Sequence, residues 1–375
     1  MNPLSRRLPL LAVPFAAVGL AACLTSAQGA PGTDGGARHD SSSAQPTPDT
    51  GTGRDAGGRV DVEVPKTDAR KGSDAHEAAA PVVDAGSDVT RPSDATPPPE
   101  GDAGSRCTMT TTQITCSQET YTITTPAGSD PEAGTTYPSY DRIVHYQVPL
   151  GTPPASGWPT VFMFQGAFLS AGLTFSATSS DAYGMYYQTE LVMNLLDAGY
   201  AVLAPEVLDA GETYWLTNIA PYAADWSGSP DDVLVQRMLA DVKAGTFGPL
   251  DPDSLFATGI SSGGYMTSRM AVSYPAGTFR ALAIESGSYA TCLSGESAVT
   301  GGLCTVPTLA STHPPTLFLH GDLDTTLVPI WTVQAYEAAL KTAGVANKEV
   351  DDVDSGHQWI PEAPTAVLAW FQSYP

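Results

Sequence analysis

Ser261 stands between two glycines in the stretch Gly259-Ile260-Ser261-Ser262-Gly263. The residues before it, 255–260, predict a buried strand, and those after it predict a helix to about Tyr274. A serine on a tight turn between strand and helix presents its hydroxyl at the sheet edge, and the glycines let the two elements approach closely. Such a hydroxyl attacks an acyl carbon when a neighbouring base takes its proton. The stretch therefore predicts a nucleophile at Ser261, and the alternative is an ordinary turn.

The base is expected after the serine in the chain, where the histidines are His313, His320 and His357. His357 follows the last predicted strand and precedes the last predicted helix, which is where a nucleophile-elbow fold delivers its histidine. His313 lies in a proline-rich loop. His320 ends a strand, where we expect it to brace a turn. We therefore predict that His357 is the base.

Two aspartates compete for the acid that orients this histidine. Asp322 and Asp324 lie in the loop His320-Gly321-Asp322-Leu323-Asp324. The spacing His-Gly-x-x-Asp resembles the one common among α/β-hydrolases, and that resemblance favours Asp324. Residues two apart on an extended chain share a side, so geometry leaves Asp322 open. Asp354 is a weaker candidate because it is so close to His357 in sequence. The acid would accept the imidazole N–H and fix its tautomer.

Donors for a developing oxyanion are expected in two places. One is the backbone N–H of Ser262, directly after the nucleophile, and the other lies in the loop after an early strand. That loop reads Phe164-Gln165-Gly166-Ala167-Phe168. Backbone donors do not depend on the Gln165 side chain, so the pattern predicts an N–H from Gly166 or Ala167.

The elements that position these residues alternate between strands and helices. Apolar and alternating runs predict strands at 120–125, 143–148, 161–164, 200–203, 255–260, 281–284, 316–319 and 348–353. Helical periodicity predicts helices at 186–198, 231–243, 262–274, 330–342 and 363–371. This order indicates an α/β fold of the α/β-hydrolase type, with a mostly parallel sheet covered by helices on both faces.

The N-terminus has the features of an export signal. Arg6 and Arg7 precede an apolar run that is short for a membrane span. The run ends in Leu20-Ala21-Ala22-Cys23, which resembles a bacterial lipobox, so residues 1–22 are expected to be a lipoprotein-type signal peptide and Cys23 a lipidated residue anchored to a membrane. The alternative is ordinary secretory cleavage, for example after Ala27, with release from the cell.

Residues 23–106 have a composition of their own. They are rich in Asp, Ala, Gly, Pro, Ser and Thr and poor in aromatics, which predicts a disordered linker ahead of a catalytic domain at 107–375. The whole chain carries 17 Lys and Arg against 40 Asp and Glu, a net charge of −23. Such an acidic surface argues against binding to nucleic acids and otherwise favours solubility.

Without Cys23, four cysteines remain: Cys107, Cys116, Cys292 and Cys304. An even number in an exported chain predicts two disulfides rather than a metal site, because no histidine stands at zinc-ligand spacing beside them. Short loops favour Cys107–Cys116 and Cys292–Cys304, but three connectivities are open.

The serine stretch, His320–Asp324 and Ser355-Gly356-His357 together resemble extracellular polyhydroxyalkanoate depolymerases, in particular the medium-chain-length type. The resemblance spans about residues 115–375. It implies hydrolysis of a polyester or oligoester through an acyl-enzyme, without a cofactor or metal. Related folds also suggest a feruloyl or acetylxylan esterase. A different alternative is a non-catalytic surface lipoprotein that uses the fold for binding.

Aromatic side chains are frequent in the loops expected at the edge of the sheet that bears the serine. They could contact a hydrophobic ester substrate or pack a long loop onto the domain. The expected substrate-binding residues are Phe168, Tyr214, Trp215, Trp226 and Trp359.

Overall fold

The computed structural model describes residues 104–130, 135–137, 139–208, 213–218, 222–292 and 306–375. The predicted signal peptide, Cys23, the linker up to residue 103 and Cys304 lie outside these ranges, so the statements about them stay predictions. Within the described ranges, no helix is long and apolar enough to cross a membrane.

Thirteen strands and five α-helices are described. In chain order the strands are β1 (Cys107–Met109), β2 (Gln113–Cys116), β3 (Glu119–Thr125), β4 (Gly128–Asp130), β5 (Thr135–Tyr137), β6 (Tyr140–Gln147), β7 (Trp158–Phe164), β8 (Ser176–Thr178), β9 (Ala201–Pro205), β10 (Leu250–Ile260), β11 (Ala281–Glu285), β12 (Thr316–Gly321) and β13 (Asn347–Asp352). The helices are α1 (Met185–Asp197), α2 (Pro230–Ala244), α3 (Ser262–Ser273), α4 (Ile330–Ala343) and α5 (Ala363–Gln372).

An eight-stranded sheet forms the centre, in the order β13-β12-β11-β10-β7-β9-β6-β3. The strands from β13 to β9 run parallel to their neighbours, and β6 and β3 complete one edge in antiparallel pairing. Parallel neighbours need crossover connections, and the helices supply them. The predicted α/β-hydrolase type of fold, with its mostly parallel sheet, is confirmed.

Hydrophobic clusters cover both faces of this sheet. Along β7, Val161 and Met163 belong to one cluster and Phe162 and Phe164 to the other, as the period of two along a strand requires. Helices α1 and α5 pack on the first face, and α2 and α3 on the second. Because both faces are buried, the carboxyl-terminal edge of the parallel strands is left to carry polar chemistry.

Helix α2 shows why its end points were predictable. The Ser229 hydroxyl accepts a hydrogen bond from the Asp232 N–H at 3.1 Å, Pro230 starts the first turn, and Asp231 and Asp232 favour the positive end of the helix dipole. Gly245 ends the helix at φ +76°, the left-handed conformation that glycine adopts without strain.

A small antiparallel sheet, β1-β2-β8, was not predicted. Its strands have three or four residues, too few for an alternating pattern to be distinguished from coil. Cys107 and Cys116 are directly opposed in it and form a disulfide, which confirms that predicted pair. Cys292 is also disulfide-bonded, and its predicted pairing with Cys304 stays a prediction.

Candidate active site

Ser261 occupies the turn between β10 and α3, at φ +57° and ψ −122°. The backbone of a residue with a Cβ is strained at such a positive φ, and strained residues of this kind are common at functional sites. The Ser261 N–H donates to the Glu285 carbonyl at 3.0 Å, and its own carbonyl accepts from the Tyr265 N–H at 3.0 Å. These two bonds tie the turn to the end of β11 and to the first turn of α3.

The glycines around Ser261 are required by close backbone contacts. A Cβ on Gly259 would lie 2.5 Å from the Phe164 carbonyl oxygen, and one on Gly263 would lie 2.0 Å from the same atom. Gly264 would bring a Cβ within 2.9 Å of the Glu285 carbonyl oxygen. Helix α3 therefore begins pressed against the ends of β7 and β11, as the glycine spacing led us to expect.

Asp324 and His357 meet at the same edge of the sheet. Asp324 Oδ2 lies 2.6 Å from His357 Nδ1, while Oδ1 accepts from the backbone N–H groups of Leu327 at 3.1 Å and Val328 at 3.2 Å. Asp322 and Asp354 are exposed. Of the three acids weighed from the sequence, the structure brings Asp324 to the histidine.

The environment keeps Asp324 ionised. Burial alone would raise the pKa of its carboxyl, but the hydrogen bond and charge of His357 and the Val328 N–H together lower that pKa below its usual value. Its side chain is almost fully buried, and that of His357 is mostly buried. An ionised carboxylate on Nδ1 leaves Nε2 as the ring nitrogen that can accept a proton.

The loops that carry these two residues pack directly on each other. A Cβ on Gly321, at the end of β12, would lie 2.4 Å from the carbonyl oxygens of both Ser355 and Gly356. The Leu323 N–H donates to the Ser355 carbonyl at 2.9 Å. The absence of a side chain at Gly321 thus lets the histidine loop approach the end of β12.

The loop after β7 lies against the serine turn. A Cβ on Gly166 would lie 3.6 Å from the carbonyl oxygen and Cγ2 of Ile260, the residue before Ser261. The N–H groups of Phe168 and Leu169 are used in loop hydrogen bonds, to Thr213 at 2.8 Å and Gly166 at 3.4 Å. The candidate oxyanion donors in this loop are therefore still the N–H groups of Gly166 and Ala167.

Trp215 joins that loop to the start of α3. Its indole N–H donates to the Gln165 carbonyl at 2.9 Å, and its backbone N–H donates to the Ser262 hydroxyl at 3.0 Å. The Gln165 side chain is itself buried and donates to Thr174 at 2.7 Å and Gln188 at 3.1 Å. Buried hydrogen bonds thus hold one side of the predicted oxyanion site, and a partly buried one holds the Ser262 side.

These contacts correct part of the expected substrate-binding set. Trp215 and Trp359 are fully buried in the two main hydrophobic clusters, and Trp226 is 5% exposed beneath the Arg269 guanidinium. Indoles with so little free surface pack the domain and offer no face to a substrate. Phe168, by contrast, is 46% exposed and stacks edge-on with the partly exposed Tyr214 at 6.3 Å between ring centres.

The buried carboxylate of Glu206 was not predicted from the sequence. Glu206, directly after β9, accepts from the Ser170 hydroxyl and the Ala171 N–H and lies 3.2 Å from His145 Nε2. Burial raises the pKa of Glu206, but these hydrogen bonds outweigh it and lower that pKa. Its signal in the sequence was weak, because the serine and histidine that hold it are distant along the chain.

Arg142 supports the loop around Trp215. It is fully buried on β6 and donates to Asp231 Oδ1 at 2.6 Å and to the Glu206 carbonyl at 2.9 and 2.7 Å. Asp231 Oδ2 in turn accepts from the Leu216 N–H at 2.9 Å. A buried charge needs such partners, and here they connect β6, α2 and the loop around Trp215.

The two remaining histidines have other surroundings. His313 Nε2 lies 2.7 Å from the Tyr336 hydroxyl, and its Nδ1 lies 2.7 Å from the Pro314 carbonyl, so the ring is part of the packing of α4. His320 is fully buried at the end of β12, and burial lowers its pKa although the charge of Asp324 opposes the shift.

Comparison with known proteins identifies the family to which the chain belongs. No protein-family model matches the chain. It is 47% identical over 235 residues to a poly(3-hydroxyoctanoate) depolymerase of Pseudomonas fluorescens, a match that covers 62% of this chain and 80% of that protein. It is 28% identical over 209 residues to acetylxylan esterase A of Aspergillus oryzae, covering 49% of this chain and 65% of that enzyme.

Among solved structures, an acetyl xylan esterase from Paenibacillus sp. R4 superposes with a TM-score of 0.44 at 14% identity, over 69% of this chain and 84% of that one. The match to the Pseudomonas enzyme is the informative one, since it joins high identity to coverage of most of that protein. The chain belongs to the family of that poly(3-hydroxyoctanoate) depolymerase and is a carboxylic ester hydrolase.

Proposed function

We propose that the protein is an exported serine esterase that hydrolyses polyester or oligoester bonds, with Ser261, His357 and Asp324 as its catalytic triad. The observation that carries the proposal is the 2.6 Å contact between Asp324 and His357 at the sheet edge where Ser261 sits on a strained turn. The name of the Pseudomonas relative, a poly(3-hydroxyoctanoate) depolymerase, supports a polyester substrate.

The first half-reaction forms an acyl-enzyme. Ser261 Oγ attacks the ester carbonyl carbon while His357 Nε2 takes the hydroxyl proton, and Asp324 stabilises the resulting imidazolium. The N–H of Ser262 and one from Gly166 or Ala167 donate to the oxyanion of the tetrahedral intermediate. When the intermediate collapses, the C–O bond to the alcohol breaks, and the alcohol leaves with the proton from His357.

The second half-reaction frees the acid. A water molecule attacks the acyl carbon and gives its proton to His357, and a second tetrahedral intermediate forms in the same oxyanion site. Collapse breaks the bond to Ser261 Oγ, which recovers its proton from the imidazolium. The product is a carboxylic acid, and the cycle consumes one water per ester bond.

Phe168 and Tyr214 are the proposed contacts for the acyl chain. Phe168 is the last residue of the loop that carries the Gly166 and Ala167 N–H groups, has a positive φ of 62° and remains half exposed. Its ring meets that of Tyr214 edge-on, which gives an apolar surface next to the reacting carbonyl. Such a surface suits a hydrophobic acyl chain better than a sugar.

An acetylxylan-type or feruloyl carboxylesterase is the second candidate, favoured by the 28% identity to the Aspergillus acetylxylan esterase. A turnover panel separates the two: a medium-chain polyester latex, a short-chain polyester latex, nitrophenyl esters of graded chain length, acetylated xylan and a feruloyl ester. Clearing of the medium-chain latex supports the proposal. Turnover confined to the acetyl or feruloyl substrate would replace it with the second candidate.

Fluorophosphonate labelling tests Ser261 as the nucleophile and separates an enzyme from a non-catalytic surface-binding lipoprotein. Labelling at Ser261 that is lost in Ser261→Ala supports an enzyme. A folded wild-type chain that does not label and turns over no ester contradicts it.

For location, we propose export and attachment to a membrane through a lipidated Cys23. The sequence Leu20-Ala21-Ala22-Cys23 supports it, and the Cys107–Cys116 disulfide is typical of an oxidising compartment. Cys23→Ala is expected to move the protein from the membrane to the soluble fraction. A variant that still sediments with membranes would contradict lipid anchoring.

A further inference from the structure

We propose that Glu285 is a positioning residue for the reaction, because it holds the Ser261 turn with its backbone and the His357 loop with its side chain. The inference rests on the function proposed above, since it requires Ser261 and His357 to act together. Neither the residue pattern nor the family resemblance singled this glutamate out.

The backbone of Glu285 acts on the serine. Glu285 is the last residue of β11 and pairs in register with Ile260, the last residue of β10. Its carbonyl accepts the Ser261 N–H at 3.0 Å. The same oxygen would be 2.9 Å from a Cβ on Gly264, so α3 also starts against it.

The side chain of Glu285 acts on the histidine loop. It is fully buried, and its carboxyl accepts the backbone N–H of Ile360, three residues after His357. The next residue, Ser286, adds a second link, since its hydroxyl lies 3.5 Å from Glu285 Oε1 and 3.4 Å from the Gln358 carbonyl. The end of β11 thus contacts both segments whose side chains must meet for proton transfer.

The surroundings of Glu285 favour the neutral form of its carboxyl. Burial raises its pKa well above the usual value, and the Ile360 N–H and the Ser286 hydroxyl only partly oppose this. The charged groups that act on it are Glu362, beside the start of α5, and Asp352, at the end of β13, and both raise its pKa further. An apolar side chain of the same size would avoid the cost of burying a carboxyl. What an apolar side chain lacks is the acceptor for Ile360.

Three substitutions at Glu285 separate the effect of its hydrogen-bond acceptor from the effects of its size and its charge. Glu285→Gln keeps length and acceptor oxygen, Glu285→Met keeps length without an acceptor, and Glu285→Asp keeps the carboxyl but withdraws it by one methylene. Ile284→Val, on the same strand, is the control for a loss of packing alone. The measurements are kcat and KM on a soluble nitrophenyl ester, the rate of fluorophosphonate labelling at Ser261, and thermal unfolding.

We expect Glu285→Met to lower kcat and the labelling rate on the order of 100-fold with little change in KM, the size of effect that a misplacement of about 1 Å produces. Glu285→Gln is expected to keep most of the wild-type kcat. Glu285→Asp is expected to fall well below Glu285→Gln, and Ile284→Val to stay near the wild type.

Equal kcat values for Glu285→Met and Ile284→Val would overturn the proposal, as would a Glu285→Gln variant no better than Glu285→Met. If Glu285→Met does not fold, the comparison of Glu285→Gln with Glu285→Asp decides in the same way, and equal kcat values for that pair overturn it. Failure of the proposed esterase function is distinguishable, because it would show in the wild type itself as absent labelling and turnover.

Discussion

Asp324 Oδ2 and His357 Nδ1 lie 2.6 Å apart although 33 residues separate them in the chain. Strand β13 and the close approach of Gly321 to the histidine loop bring them together. The contact favours Asp324 over Asp322 as the proposed acid, because Asp322 in the same loop is exposed. It also leaves Nε2 of His357 as the ring nitrogen for the proposed proton transfer from Ser261.

The first prediction concerns the identity of the acid. Asp324→Asn is expected to lower kcat on the order of 10⁴-fold, since an amide cannot hold the imidazole in the required tautomer or stabilise its charged form. Asp322→Asn, the matched control two residues away in the same loop, is expected to stay near the wild type. The check is kcat and KM for a nitrophenyl ester at neutral pH. If Asp322→Asn proves the more damaging, the acid is Asp322.

The second prediction concerns the dependence of stability on pH. The pKa of Asp324 is lowered in the folded protein, so the unfolded chain binds its proton first as the pH falls. The stability that Asp324 contributes is therefore present above its unfolded pKa of about 3.9 and is lost as the pH falls through the lower folded value. Urea unfolding of the wild type and of Asp324→Asn, from neutral pH to about pH 2.5, is expected to show a gap that closes below pH 4. A gap independent of pH contradicts the lowered pKa.

The third prediction uses one glycine from each of the two contacting loops. A Cβ at Gly321 would lie 2.4 Å from two carbonyl oxygens of the histidine loop, whereas one at Gly356 would meet nothing within 4 Å. Gly321→Ala is thus expected to push the loops apart and lower kcat on the order of 100-fold, while Gly356→Ala keeps most of its activity. Kinetics at a temperature where circular dichroism shows both variants folded are the check. Equal activities would mean that the contact does not control the site.

Particular residues show how much of the fold and of the site could be predicted from the sequence. The strands of the central sheet were predictable because their apolar runs reflect burial on both faces of the sheet, as at Val161–Phe164. The helices that cover the sheet were predictable from their apolar periodicity. The candidates for the acid remained Asp322 and Asp324, because residues two apart on an extended chain point to the same side. The loop conformation, which the sequence does not reveal, decides which of the two reaches His357. The short strands β1, β2 and β8 carry too few residues for a pattern.

The aromatic residues mark another limit of sequence reasoning. Phe168 and Trp215 have the same apolar character in the sequence, yet one is half exposed and the other fully buried. What separates them is a set of non-local hydrogen bonds, from Trp215 to Gln165 and Ser262, that no spacing along the chain reveals. Glu285 was missed for the same reason, because its role depends on contacts with Ser261 and Ile360.

The last prediction concerns the strain at Ser261. Its φ of +57° with ψ of −122° is a conformation that costs a residue with a Cβ about 1 to 3 kcal/mol. Glycine relieves that strain but makes the unfolded chain more flexible, which offsets about 0.4 to 1 kcal/mol of the gain. Ser261→Gly and Ser261→Ala both lack the hydroxyl and are expected to be inactive, but Ser261→Gly is expected to be the more stable by about 1 kcal/mol. Urea unfolding of the two variants under one set of conditions measures the difference. A Ser261→Ala variant as stable as Ser261→Gly would mean that the surrounding turn, held by Glu285 and Tyr265, has relaxed and that the strain is not stored at this residue.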